Sequence, residues 1–388
     1  MTKGQFLSQN NNEQPFGELP EALVEEMLSQ CNKLGSNLSA SFKRLYDYKT
    51  DIRGKLYERK LLHKDTDFSF VPSYPTSCAV DGSFAIERLI CTDLVAFAGV
   101  AMEGLTPPSE KRYWPNPHHI SDVLTVAHSD NTALIARAVM MCMELELAAT
   151  APHDVVFLDG SLTTPLISLD QGLNRISDVH RDLAVFLETR IERALESYRK
   201  IVNCERTDKI FAGIPKYTTR TEISKDVLNL SEYEDRGLLT FVLDAGEFVG
   251  PVPIQKIARP WHLNLKPIQS KMNLEETAKQ IFSGLNDLHI LYYRPYSYFP
   301  VLRIEVANSI AANPNRMAVL LESLRLQCSS PSILEPFPLY LADRMVKHLG
   351  TALPAIRRTT TQQMSTEWED KMGNTYLAMH GYRTKLGR

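Results

Sequence analysis

The sequence predicts an α/β domain with helical additions. From residue 73 onward, short runs of β-branched and apolar residues alternate with helical patterns, which is typical of strands mixed with helices. Residues 131–150 have a helical pattern that is apolar almost all round, and such a helix is normally buried. Before residue 63, apolar residues recur at steps of three and four, as they do in an amphipathic helix.

The N-terminal region is predicted to be a helical extension behind a short polar tail. Its apolar stripe runs through residues 20–62, and Lys and Arg cluster towards the end of this range. We interpret it as a packing or dimerisation helix with a solvated basic face; the alternative is a face that contacts DNA. The first 20 residues contain one lysine and no apolar core, so we expect no secretory signal.

Turn and proline signals divide the rest of the chain into further elements. We predict adjacent strands within residues 77–104, the buried helix, a short strand at 155–158 and a charged helical region at 171–206. Three further strand segments (208–216, 237–246 and 288–307) and two helices (315–327 and 339–350) follow. The predicted domains are therefore the extension (1–70), the α/β domain (71–350) and a basic C-terminal tail (351–388).

Composition excludes several classes of protein. Hydrophobic residues make up 44% of the chain and charged residues 23%, as in an ordinary globular protein. No apolar run reaches the roughly 18 residues that span a bilayer, so we expect no membrane segment. The six cysteines are scattered, which predicts neither a disulfide framework nor a zinc site and favours a reducing cytoplasm. The net charge of −3 neither indicates nor excludes a nucleic-acid partner.

One tripeptide occurs twice, each time after a short apolar run: Asp81-Gly82-Ser83 and Asp159-Gly160-Ser161. Asp-Gly is a common turn signal, so either copy alone indicates only a turn. Two neighbouring strands that each end in an exposed carboxylate, however, bring two acids within reach of one cation, and the glycine allows a close approach. The repetition therefore favours a metal site that contains Asp81 and Asp159.

A third acid is expected from the buried helix, which carries Glu144 and, on its opposite side, Glu146. A carboxylate on an apolar helix is costly unless it is paired, protonated or bound to metal. The alternative to metal binding is a salt bridge with Arg137 or Arg88. Metal binding is favoured because two candidate partner acids are already present.

Carboxylate ligands select hard cations such as Mg²⁺ and Mn²⁺. Two such ions about 4 Å apart stabilise both the attacking and the leaving oxygen of a phosphodiester displacement. The acids therefore predict phosphodiester hydrolysis without a covalent intermediate. We place Lys216, at the end of a predicted strand, near the scissile phosphate; the alternative is an exposed loop lysine.

The order and spacing of these motifs closely resemble the NurA nuclease family. The resemblance is carried by AVDGSFA, the helix with MELELA, VVFLDGSL, AGIPK, RIEVA and PFPLYLADRM, and it covers roughly residues 75–350. It implies a ribonuclease H-like mixed sheet with flanking helices, a homodimer and manganese-dependent cleavage of DNA. It also implies a partner, the hexameric DNA translocase HerA, and a role in DNA end processing or antiviral defence.

The resemblance assigns roles to individual residues. Asp81 and Asp159 match the family's first and second metal acids. Glu144 is the better match for the helix acid, with Glu146 close behind. Lys216 matches a lysine that follows the family's third strand segment.

The C-terminal motif departs from the family pattern. Glu335-Pro336 stands where the family often has Tyr-Pro, and Asp343 fills a position that the family gives to His or Asp. Asp343 is therefore a further candidate ligand for metal or water. The missing tyrosine affects how the phosphate is positioned, and Tyr340 or Tyr296 is a candidate replacement.

Other functions stay open at this point. Acidic-Gly turns also fit a phosphotransferase or ATPase of the actin and sugar-kinase group, but the sequence has no second Gly-rich phosphate loop and no G-x-x-x-x-G-K-[ST] motif. A second alternative is a catalytically weakened adaptor subunit that docks on the translocase ring, which the altered C-terminal motif favours. The aromatic run at 292–299 is either one face of a core strand or a platform on which bases stack.

Overall fold

The computed structural model describes residues 19–68, 73–89, 92–107, 112–179, 181–216, 218–230, 233–254, 259–268 and 274–367. The chain divides into two compact units, 1–52 and 53–388. In the first unit, α1 (Glu21–Ser29) and the N-terminal part of α2 (Cys31–Glu58) confirm the predicted helical extension. Its apolar stripe is exposed rather than packed within the unit, since Leu34 and Leu38 are 56% and 58% exposed.

The second unit is built on a mixed sheet flanked by helices, which confirms the predicted α/β class. The strands are β1 (Leu62–Lys64), β2 (Ser77–Arg88), β3 (Thr92–Glu103), β4 (His118–Ala127), β5 (Val155–Asp159), β6 (Ile210–Ile214), β7 (Glu247–Pro253), β8 (His289–Arg294) and β9 (Leu302–Val306). The helices are α3 (Thr132–Thr150), α4 (Thr164–Leu173), α5 (Arg181–Asn203), α6 (Asp235–Val242), α7 (Leu274–Asn286), α8 (Asn308–Ala311), α9 (Pro314–Gln327) and α10 (Phe337–Glu367).

The strand order brings the two Asp-Gly-Ser copies side by side. Within the described part of the chain the order is β1-β7-β8-β9-β6-β5-β2-β3-β4. Strands β2, β3 and β4 form an antiparallel meander, whereas β5 is parallel to both β2 and β6. Val80 pairs with Leu158, so Asp81 and Asp159 take the next positions on adjacent strands. The prediction that these acids lie on neighbouring strands is confirmed.

The prediction that a strand ends at Asp81 is wrong. Strand β2 continues through Asp81-Gly82-Ser83 and pairs with β3 as far as Arg88, opposite Asp93. This long antiparallel pairing outweighs the local turn preference of Asp-Gly. At the second copy the prediction holds, because β5 ends at Asp159 and Gly160 follows with a φ of +93°.

Helices α3 and α10 lie on opposite faces of this part of the sheet. Gly82 and its cross-strand partner Gly99 leave room for α3, because a Cβ on Gly82 would lie 2.9 Å from the Cγ of Met140. Ala85 packs instead against apolar residues of α10. Successive side chains of a strand point to opposite faces, so Asp81 lies on the face that α10 covers.

Several predicted elements differ from the structure. The segment 237–246 is not a strand: most of it belongs to α6, which begins after Glu234, whose side chain accepts hydrogen bonds from the N–H groups of Arg236 and Gly237. Strands β4 and β7 were not predicted. The C-terminal tail is not separate from residue 351, because α10 continues to residue 367 despite Pro354; the basic residues beyond it lie outside the described residues.

Two further expectations concern membranes and thiols. No described helix combines the length and apolar character needed to cross a bilayer. Five cysteines are free thiols, four of them buried, where a thiol behaves as a small apolar group. Cys91 lies outside the described residues.

Candidate metal centre

Three carboxylates from three elements converge where β5 ends beside the middle of β2. Asp81 comes from β2, Asp159 from the end of β5 and Asp343 from α10. One oxygen of each lies within 4.8 Å of the others. Asp81 is 9% exposed, and the side chains of the other two are each 19% exposed. Oxygen donors at this separation are of the kind that hold Mg²⁺ or Mn²⁺.

Glu144 approaches the same region from α3, on the opposite face of β2. It is 7% exposed and lies against Gly82: a Cβ there would be 2.5 Å from Glu144 Oε1. Glu144 is not part of the group within 4.8 Å, but its charge interacts with those of Asp81 and Asp159. The alternative salt bridge with Arg88 is not formed, because that arginine pairs with Asp93.

Burial and neighbouring negative charges raise the pKa values of Asp81 and Glu144. Burial, followed by the charge of Asp159, raises the pKa of Asp81 to about 7, although a hydrogen bond from the Gly82 N–H acts against this. Burial, followed by the charges of Asp81 and Asp159, raises the pKa of Glu144 well above its ordinary value. Within the described residues, neither Asp81 nor Glu144 forms an ion pair with a Lys, Arg or His side chain. Both acids are therefore buried without a paired cation, although the more distant charge of Lys216 acts to lower the pKa of Asp81.

Lys216 lies among the other acids. Its Nζ is 2.9 Å from Asp159 Oδ2, 3.0 Å from Glu335 Oε2 and 3.6 Å from Asp343 Oδ1. Burial alone would lower the pKa of Lys216, but the hydrogen bond and charge of Asp159, together with those of Glu335, raise it. The guanidinium of Arg236 donates hydrogen bonds to the carbonyls of Lys216 and Val301, which fixes the backbone that carries the ammonium group. Lys216 is therefore no freely exposed loop lysine.

Sequence reasoning missed a role for Glu335 and Lys347. In the sequence Glu335 is only a departure from the family motif, whereas in the structure its carboxylate contacts Lys216. Burial raises the pKa of Glu335, although the hydrogen bond and charge of Lys216 act to lower it. Lys347 Nζ lies 2.6 Å from Asp343 Oδ2, one helical turn along α10. The i, i+4 spacing of this pair was the only signal that the sequence offered for it.

Three predicted residues form contacts with groups other than the three converging acids. Glu146 points from α3 towards α5, where its carboxylate is 4.0 Å from the guanidinium of Arg193. The hydroxyl of Tyr340 accepts a hydrogen bond from Arg344, and that of Tyr296 donates to the carbonyl of Arg325. The structure thus brings Glu144, not Glu146, towards Asp81, and neither tyrosine replaces the family tyrosine through a described contact with the acids.

The aromatic run combines both predicted environments. The members within the core are Tyr292, Tyr293 and Phe299, each at most 1% exposed. Tyr296 and Tyr298 lie in the turn after β8, with parallel rings whose centroids are 5.3 Å apart, and Tyr298 is 43% exposed. Only this pair has the exposure that base stacking requires.

Comparison with known proteins places these residues in a family. The NurA domain family matches residues 75–347. The crystal structure of the NurA nuclease from Sulfolobus solfataricus is 14% identical, covers 90% of this chain and 99% of its own, and has a TM-score of 0.54, which shows a shared fold. Two other NurA crystal structures are also 14% identical. One, with manganese, has a TM-score of 0.49, and the match covers 85% of this chain and 98% of that one. The other, bound to dAMP and manganese, has a TM-score of 0.45, and the match covers 80% of this chain and 93% of that one.

None of the curated proteins matches this chain in sequence. Since the family match spans more than half of the chain, this protein belongs to the NurA family.

Proposed function

We propose that this protein is a metal-dependent DNA nuclease. The observation that carries the proposal is the convergence of Asp81, Asp159 and Asp343 within 4.8 Å, on elements far apart in sequence. Membership of the NurA family supports DNA as the substrate. The meander β2-β3-β4, followed by α3 and the parallel strands β5 and β6, supports the further proposal that the core is ribonuclease H-like.

The acids fit a divalent cation. Asp81 is buried and its pKa is raised, and an ionised carboxylate in such a place needs a positive partner. All the donors are oxygen atoms, which suits Mn²⁺ or Mg²⁺ better than the softer metals. Asp81, Asp159 and Asp343 would hold the ion. Glu144, whose charge acts on those of Asp81 and Asp159, is a further candidate ligand.

A divalent ion held by these acids would supply Lewis-acid activation of the phosphate and of the attacking water. The protein's own part is to place charge. Lys216 has its ammonium group at the edge of the acids, where it can donate to a non-bridging phosphate oxygen. Glu335 and the Arg236 contact hold Lys216 in that place. No side chain is required to form a covalent intermediate.

The test is digestion of end-labelled DNA with Mn²⁺, with Mg²⁺ and with a chelator. We expect Asp81→Asn and Asp159→Asn to lose cleavage almost completely while they remain folded by circular dichroism. Asp226→Asn is the matched control, because it removes an exposed carboxylate from a loop outside the acidic group. Full cleavage by Asp81→Asn, or equal cleavage with the chelator, would show that the acids are not the catalytic site.

The number of ions is a separate proposal. The two-metal mechanism predicts two Mn²⁺ per chain, and the presence of four acids from β2, β5, α3 and α10 supports it. Titration calorimetry with Mn²⁺ and a DNA analogue that cannot be cleaved counts the ions. A single ion at saturation would reduce the mechanism to one metal.

The partners are proposed from the family. A homodimer is tested by light scattering on the purified chain. A HerA-type translocase is tested by co-purification, followed by cleavage assays with and without ATP. Faster DNA degradation with the translocase and ATP would support a joint role in end processing or antiviral defence. A monomer that ignores the translocase would remove this part of the proposal.

A catalytically weakened adaptor is the second candidate, and one observation favours it. Lys216 already provides a positive charge to Asp159 and Asp343, and Glu335 stands in place of the family tyrosine. An adaptor would bind the translocase and show no cleavage with either ion. Asp81 and Glu144, which are buried without a paired cation, support the enzyme, because burying such acids lowers stability unless a metal ion or another cation binds them.

A further inference from the structure

The loop that follows Asp159 is held by side chains from two other elements. The N–H of Leu162 donates to Glu305 Oε2 at 2.9 Å, and the hydroxyl of Ser161 donates to the same oxygen at 2.7 Å. The carbonyl of Leu162 accepts a hydrogen bond from the hydroxyl of Tyr198, which is completely buried on α5. Both backbone groups of Leu162 are therefore bound by side chains from outside the loop.

The loop leaves little room for Asp159 to move independently. Gly160 has a φ of +93°, and its N–H contacts the carbonyl of Ile214 on β6. Its own carbonyl lies 2.9 Å from the place that a Cβ on Gly213 would occupy. One residue thus separates Asp159 from Ser161, and that residue is packed against β6. The position of Ser161 therefore acts on Asp159 through a single residue, Gly160.

Glu305 is itself held by a buried arginine. Glu305 and Arg303 are 2% and 1% exposed, and Arg303 Nε donates to Glu305 Oε1 at 3.0 Å. The remaining guanidinium nitrogens bind both oxygens of Glu222, at 2.9 and 3.0 Å, and the hydroxyl of Tyr292. The two oxygens of Glu305 therefore accept from different partners. Oε1 accepts from Arg303, and Oε2 accepts from Ser161 and Leu162 in the loop.

Stability alone does not account for this network. Apolar residues of similar volume often stabilise a core at least as well as a buried ion pair does. A buried carboxylate does, however, give directional acceptors that an apolar side chain cannot give. In metal sites, partners that orient the ligands in this way strongly affect metal affinity.

We propose that Glu305 is a positioning residue for Asp159, acting through Ser161 and Leu162, and that Arg303 sets the direction of its carboxylate. The inference rests on the proposed function, because Asp159 needs positioning only if it holds metal. Strand β9, which contains the RIEVA motif, would therefore support the metal site through Glu305 without contributing a ligand. Glu305 does not touch the metal site; it orients a residue that does.

The test compares Glu305→Gln with Glu222→Gln. Both variants remove one carboxylate from Arg303, but only Glu305 also binds the loop. In Glu305→Gln the amide NH₂ must face either Arg303 or the loop donors, so one side loses its acceptor. We expect the Mn²⁺ affinity, measured by calorimetry, to fall about 10- to 100-fold in Glu305→Gln, the usual effect of losing such a partner. Glu222→Gln should lower the affinity much less, because Glu305 still binds both Arg303 Nε and the loop in that variant.

Amide hydrogen exchange at Leu162 gives a second readout that needs no metal. We expect faster exchange in Glu305→Gln than in wild type or Glu222→Gln. Ser161→Ala removes the bond from the hydroxyl to Glu305 together with its contacts to the N–H and hydroxyl of Thr163, but it keeps the bond from the Leu162 N–H to Glu305. It should give a smaller loss of Mn²⁺ affinity, and it serves if Glu305→Gln does not fold. Unchanged exchange and affinity in either loop variant would overturn the proposal. If wild type binds no Mn²⁺, the proposed function fails, and exchange at Leu162 still decides whether Glu305 anchors the loop.

Discussion

Replacing Asp81 by asparagine should make the stability of the metal-free protein depend less on pH. The pKa of Asp81 is raised in the folded protein, so the folded state keeps this proton to a higher pH than the unfolded chain does. Ionisation of Asp81 therefore lowers the free energy of unfolding as the pH rises from about 4 to about 7. Asparagine has nearly the same shape and cannot ionise, so the variant escapes this loss.

The size of the effect follows from the pKa difference. The pKa of Asp81 is about 7 in the folded protein against an ordinary value of 3.8. Each pKa unit corresponds to about 1.4 kcal/mol, so at pH 8 the variant should be more stable by up to about 4 kcal/mol. Below pH 4 the carboxyl is protonated in both states, and the two proteins should be nearly equal.

The assay is urea unfolding in chelator from pH 4 to pH 8, followed by circular dichroism. Asp226→Asn, an exposed carboxylate, is the control and should follow wild type throughout. Added Mn²⁺ at about 100 times its dissociation constant should restore about 2.7 kcal/mol to wild type and less to Asp81→Asn. A constant difference between Asp81→Asn and wild type from pH 5 to pH 8 would refute the claim that the pKa of Asp81 is raised in the folded protein.

Three further predictions concern the site and its surroundings. Gly82→Ala would place a Cβ 2.5 Å from Glu144 Oε1 and should weaken Mn²⁺ binding, whereas Gly350→Ala, with no atom within 4 Å of the new Cβ, should not; equal calorimetric affinities would contradict this. Lys216→Met removes the ammonium group beside Asp159, so Mn²⁺ should bind more tightly while DNA cleavage slows, and weaker binding would contradict competition between the lysine and metal. Tyr298→Ala should weaken the binding of single-stranded DNA in an anisotropy assay, by about 1–3 kcal/mol if one base stacks there; unchanged affinity would dismiss stacking.

The repeated tripeptide predicted the position of the acids better than their local structure. Strands with the same short motif after an apolar run were expected to be neighbours, and β2 and β5 are. The turn expected at Asp81 is absent because pairing with β3 extends to Arg88. Local turn preference is worth little against a ladder of that length, and a single sequence does not show how long a ladder will be.

The choice between Glu144 and Glu146 was not available from the sequence for a related reason. On a helix that is apolar almost all round, the pattern does not say which side meets the sheet. The decision comes from the sheet, where Gly82 and Gly99 lie side by side and admit the face of α3 that carries Glu144. Paired glycines on predicted adjacent strands were the signal, but it becomes readable only once the register is known.

The contact between Lys216 and Glu335 depends on packing between elements that are far apart in the sequence. Lys216 follows β6, whereas Glu335 precedes α10, and only the packing of α10 over β2 brings them together. The strand predicted at α6 is wrong for a local reason. The apolar and β-branched residues of this segment suggested a strand. The N-cap at Glu234 and the buried Leu238 and Val242, one turn apart, make it a helix.

The charges in the site bear on how many cations it can take. The region contains five carboxyl groups and two ammonium groups: Asp81, Glu144, Asp159, Glu335 and Asp343, with Lys216 and Lys347. If all are ionised, three negative charges are uncompensated. One divalent ion leaves a single negative charge, whereas a second ion would make the site positive. A phosphodiester brings the missing negative charge, so we expect the second ion to bind with DNA rather than before it. A titration with Mn²⁺ alone should then count one ion per chain, and a titration with Mn²⁺ in the presence of DNA should count two.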